Sequence, residues 1–132
     1  MLVKDGEVVA ESPVVAGVYG TFTVRKPGKF SFSYNVRERE QGLLQSTIMA
    51  NLERNLSTNR WNQAILMQEL AYNAETYDEV VFKLSTEPLT SVGHFVVAGV
   101  QKNEGVAITR DIDSVSRYES LSEEKSFLVM TN

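Results

Sequence analysis

The chain has 132 residues, 42% of them hydrophobic and 23% charged, with a formal net charge of −4. That is one domain's worth of ordinary globular composition, and disordered and fibrous classes are set aside. No basic block interleaves with aromatics, so nucleic-acid binding has no electrostatic footprint, and no apolar run approaches a membrane span.

The first ten residues alternate around Asp5-Gly6, a dipeptide of tight hairpins, with Leu2-Val3-Lys4 before it and Glu7-Val8-Val9-Ala10 after. Pro13 starts a new run, 14–24, whose Gly17 and Gly20 predict a bulge or a close backbone approach rather than a plain strand. Lys26-Pro27-Gly28-Lys29 reads as a turn, Pro presetting φ and Gly taking the left-handed position. Strict alternation over 30–36 then puts Phe30, Phe32, Tyr34 and Val36 on one strand face and Ser31, Ser33 and Asn35 on the other.

The middle is helical. Leu43, Leu44, Thr47, Ile48, Asn51, Leu52 and Leu56 recur at three and four and predict one apolar stripe. After the polar break Ser57-Thr58-Asn59-Arg60, a second helix carries Trp61, Ala64, Ile65, Met67, Leu70 and Ala71. Thr76-Tyr77-Asp78-Glu79 is a capping box, followed by Val80, Val81 and Leu84 at helical spacing, and Pro88 stops that helix. Two apolar strands follow around the polar Lys102-Asn103-Glu104-Gly105 turn, closing on Arg110-Asp111. Strands near Val115–Tyr118 and over Phe127–Met130, with a Ser-Glu-Glu-Lys turn between them, complete the expectation. Strands, then helices, then strands predict an α+β domain with an antiparallel sheet.

Zero cysteines and one histidine exclude disulfides, thiolate metal sites, a cysteine nucleophile and a His-rich metal cluster within this sequence. No metal and no cofactor are expected. His94 reads as a strand-end histidine with no paired nucleophile. Glu38, Glu40, Glu123 and Glu124 read as loop charges, and Asn55-Leu56-Ser57 matches a glycosylation sequon at a helix end. Arg110-Asp111 by pattern alone is a strand-end ion pair of small worth. From Met1-Leu2-Val3 the chain passes at once into Lys4-Asp5-Gly6-Glu7, so no targeting signal is expected at its start.

Three segments carry a resemblance. Ala16-Gly17, Gly20, Lys26-Pro27-Gly28, Phe30-Ser31, Asn35 and Arg37 are similar to one stretch of the acid ceramidase and N-acylethanolamine-hydrolysing acid amidase family. Gly99, Glu104-Gly105 and Ile108-Thr109-Arg110-Asp111 resemble the family's "G…GEG–ITRD" hairpin, and Phe127–Asn132 resembles its "VVQTN" strand. The resemblance implies an αββα sandwich of the N-terminal-nucleophile hydrolases and the hydrolysis of a fatty-acyl amide, in a lysosomal or secretory setting. Its nucleophile is an N-terminal Cys whose own α-amine, with a pKa near ~8, takes the thiol proton.

Carried over residue by residue, Asn132 matches the asparagine that helps hold the tetrahedral oxyanion. Val36 falls where the family has a glutamate, and Arg110 matches a motif residue read as structural or pocket-lining; these two are the substrate-contact positions. The Cys, and the Arg and Asp that follow it, match nothing in this sequence. The expectation is a single partial domain, 1–132, from the central to C-terminal part of such an amidase, inactive alone. Its partners would be a fatty-acyl amide once completed, and a complementary chain carrying the nucleophile; an unpaired sheet edge also predicts self-association. The alternative is a non-catalytic lipid-binding or interaction module on the same scaffold.

Overall fold

Backbone alternation over β4, Phe30–Val36, organises the fold, because its two faces meet different neighbours. The computed structural model describes residues 1–37, 44–56 and 59–131, the side chains at 44–47 and 51 excepted. Before β4 come β1 (Leu2–Lys4), β2 (Glu7–Ala10) and β3 (Thr23–Lys26); after it come α1 (Leu44–Leu56), α2 (Gln63–Asn73), α3 (Tyr77–Thr86), β5 (Gly93–Gly99), β6 (Gly105–Arg110) and β7 (Val115–Ser120). β3 to β7 form one antiparallel sheet in sequence order, and β1 and β2 form a separate hairpin. This is the α+β antiparallel class expected.

The turns form as their residues require. Asp5 and Gly6 both take positive φ, 53° and 86°, so the β1–β2 turn matches the right-handed strand twist. Gly28 sits at φ 73° after Pro27, and Lys29 N–H donates to Lys26 O at 3.1 Å, closing the β3–β4 turn. Gly20 is a place of close approach: a Cβ there would lie 2.6 Å from Ala64 Cβ on α2.

One sheet face is buried under α2 and α3. Val24, Phe30, Phe32, Phe95, Val97, Val106 and Ile108 line it, and Leu66, Met67, Leu70, Val80 and Leu84 come down from the helices. Burying each such side chain contributes on the order of 2 kcal/mol. Lys26 is drawn into this layer, 5% exposed, where its Nζ donates to Ala74 O at 2.6 Å and to Glu75 Oε1 at 3.0 Å. It thereby satisfies the carbonyl of the residue that caps α2. The opposite face carries Thr23 and Arg25, Ser31 and Ser33, Val96 and Ala98, and these line a shallow groove. No helix lies over it among the described residues.

Several expectations change. Trp61 stands outside α2: it bridges to Leu89 instead, and Asn62 caps the helix by accepting from Ala64 N–H at 3.0 Å. The Thr76 hydroxyl accepts from Glu79 N–H at 3.2 Å as a capping box requires, but the returning Glu79 carboxylate accepts from Glu75 N–H at 2.8 Å, one residue earlier. The stripe on α1 is not buried; Ile48, Leu52 and Leu56 are 56%, 50% and 75% exposed. Phe127–Met130 is not a strand, because no ladder partner lies beside it among the described residues, and Phe127 and Val129 face solvent. Leu43, Ser57, Thr58, Glu38 and Glu40 lie outside the described residues.

Candidate functional site

The end of the sheet formed by the exit of β4, the entry of β5 and the exit of β6 gathers the polar groups. Val36 pairs across the strands with Gly93, and Gly93 in turn with Arg110; Asn35 pairs with His94, and His94 with Thr109. Val36 is 63% exposed at this end, an apolar side chain open to solvent. Arg37, the next residue, donates to Asp111 Oδ1 at 2.8 Å and to Ser116 Oγ at 3.3 Å, tying β4 to the β6–β7 turn.

Arg110 is 0% exposed. Its Nη1 donates to Leu84 O at 2.5 Å, its Nη2 to Glu87 O at 2.8 Å and its Nε to Ser114 O at 3.1 Å. The last carbonyls of a helix have no intrahelical donors and sit at the negative end of the dipole, so a buried guanidinium fork suits the end of α3. Burial pulls its pKa down, and Asp113 and Asp111 oppose that shift. The ion-pair reading of Arg110-Asp111 is corrected: Asp111 pairs with Arg37, while Arg110 holds backbone. The implied substrate contact at Arg110 meets a side chain with no surface left to offer. Asn132 lies outside the described residues.

His94 Nδ1 lies 3.0 Å from Thr109 Oγ1. Burial lowers the His94 pKa, and the Arg37 charge adds to that. The distance suits a hydroxyl–base pair, but Thr109 is only 6% exposed, so its oxygen is not presented to a substrate. Beneath the site, Tyr34 OH donates to Val92 O at 3.1 Å and Gln63 Nε2 to Ser91 Oγ at 2.8 Å, and burial raises the Tyr34 pKa. Arg60 reaches Asp113 Oδ1 at 2.6 Å across the same end.

The hairpin motif has a structural explanation. Glu104 Oε2 accepts from Val100 N–H and from Gln101 N–H, each at 2.8 Å, stapling the β5–β6 turn, while Asn103 takes the positive φ of 66°. A Cβ on Gly99 would strike this carboxylate, and one on Gly105 would strike Leu121. Sequence reasoning missed Glu104 as a staple; its place one residue before a glycine, in a turn full of free N–H groups, was the available signal. Among the described residues no group of three or more His, Cys, Asp or Glu side chains could hold a metal ion. No helix among them is long and apolar enough to cross a membrane.

No protein-family model matches the chain. It is 30% identical over 131 residues to the N-acylethanolamine-hydrolyzing acid amidase of Oryctolagus cuniculus, covering 98% of this chain and 35% of that protein. It is 28% identical over 131 residues to the acid ceramidase of Heterocephalus glaber, covering 98% of this chain and 32% of that one. Among solved structures, the Caenorhabditis elegans ortholog of N-acylethanolamine-hydrolyzing acid amidase superposes with a TM-score of 0.81 at 28% identity, over 99% of this chain and 55% of that chain. The chain belongs to the acid amidase and acid ceramidase family.

The chain spans about a third of the length of the curated relatives it matches. In the family's αββα sandwich it supplies one helix layer and one sheet layer. Ser31, Ser33, Val96 and Ala98 lie on the sheet face opposite that helix layer. Of the motif residues, the Pro27-Gly28 turn, the Glu104 staple and the Arg110 clamp hold the fold.

Proposed function

We propose that this chain is part of a fatty-acyl amide hydrolase and is inactive alone, its thiol nucleophile coming from residues outside this sequence. The observation that carries the reading is family likeness over nearly all of this chain in a sequence without cysteine, joined to a sheet whose second face is open along β3 to β5. Completed in trans by a chain bearing the Cys and the Arg and Asp near it, the assembly would attack an N-acylethanolamine or a ceramide through the thiolate. An acyl-enzyme then forms, the amine leaves and water releases the fatty acid. Asn132 would donate to the oxyanion, a contribution of roughly 3 kcal/mol in favourable cases. A lysosomal or secretory setting goes with this reading.

A second reading is a non-catalytic lipid-binding or interaction module. Val36 favours it, since an exposed valine stands where the family has a glutamate. A fluorogenic fatty amide assayed at acid pH separates the two. The chain alone should give no turnover, and adding the separately expressed Cys-bearing segment of a relative should give it. No turnover after binding of that segment supports the module; turnover by the pure chain contradicts both readings.

A further inference from the structure

The two outer strands of the five-stranded sheet are not alike. Beyond β3 lies Glu11, whose N–H donates to Arg25 O at 2.8 Å and whose carbonyl accepts from Arg25 N–H at 2.9 Å. That edge is covered. β7 pairs with β6 alone, and no strand lies on its other side among the described residues. Leu121 N–H donates inward to Gly105 O at 2.8 Å, and backbone alternation then turns the N–H and C=O groups of Tyr118 and Ser120 outward, while Ser116 lies in the bulge opposite Arg110 where the alternation breaks. Such a row is a template for another strand unless lysine, proline or repelling charge defends it. β7 reads Val-Ser-Arg-Tyr-Glu-Ser and holds neither lysine nor proline; in the single chain Glu119 pairs with Arg117 and with Lys125 from the turn beyond the strand.

We propose that β7 pairs antiparallel with β7 of a second copy about a two-fold axis at Tyr118. In that register Ser116 faces Ser120 of the second copy, Arg117 faces Glu119, and Tyr118 faces its own symmetry mate. The outward N–H and C=O of Tyr118 then pair with those of its symmetry mate. Arg117 and Glu119 share one sheet face and pair across the axis with opposite charge, while the two tyrosines, each 51% exposed in the single chain, meet on the helix side. The nearest slips that backbone parity allows are to registers centred on Arg117 or Glu119, and each of those sets two like charges on the axis. One charge of each sign, two residues apart, thus disfavours both neighbouring registers. The pairing uses the sheet edge and not its open face.

Sedimentation equilibrium of the full chain, from micromolar to submillimolar, tests this. The mass should rise with concentration from 14.8 kDa towards twice that value. Arg117→Glu or Glu119→Arg alone should weaken the dimer about tenfold or more, and the exchange of both should restore it. Tyr118→Lys, a change at an exposed position, should abolish it by placing two lysines on the axis, with far-UV circular dichroism reporting that the fold is kept. A monomer at every concentration overturns the proposal. So does a dimer indifferent to the single reversals, or a folded double exchange that stays monomeric.

Discussion

Arg110 shows how a residue legible as a motif takes its role from what encloses it. It sits among three backbone carbonyls, and a side chain of similar volume without donors leaves those of Leu84 and Glu87 unpaired, while Ser114 O keeps the Asp111 N–H. Arg110→Met should therefore cost about 3 kcal/mol in urea unfolding, and Arg110→Lys should recover only part, since an ammonium cannot fork. Glu75 makes a second prediction. Lys29 and Lys26 hold its carboxyl down to about 2. A folded-state pKa below the unfolded one contributes stability present above the ordinary carboxylate range and lost as pH falls towards 2. Denaturation at several pH values should show that loss, and Glu75→Gln should flatten it. His94, the one histidine, should titrate in NMR below its ordinary 6.5, and Arg37→Gln should move it back up. Its lowered pKa makes stability fall as pH drops from 6.5 through the folded value.

At the scale of elements, legibility followed local chemistry. The alternation of β4, the Asp5-Gly6 and Pro27-Gly28 turns and the Thr76 cap are short-range signals, and each formed where expected. What needed a distant partner was not legible. Phe127–Met130 is an apolar run of strand-like composition, yet a strand exists only as part of a ladder. The stripe of α1 has helical spacing, but spacing does not say what covers it; Ile48→Glu should move the unfolding free energy by less than about 0.5 kcal/mol. Met67→Ala on α2, fully buried, should cost about 3 kcal/mol by the same measurement. Val36 and Arg110 were singled out by motif, whereas the His94–Thr109 contact and the Arg37–Asp111 pair depend on strand register and were not legible.

The whole molecule is a helix layer on a sheet layer, half the layers of its family's sandwich. Its uncovered face is small and mild, serines and alanine around Val96, which is chemistry suited to receiving another sheet. A chain without cysteine allows that face to be reported by one introduced thiol. Ala98→Cys places it on the open face, and maleimide labelling then reads coverage directly. The account predicts rapid labelling of the chain alone and strong protection once the Cys-bearing segment of a relative, its own thiol blocked, is added. Equal labelling with and without that segment would contradict it.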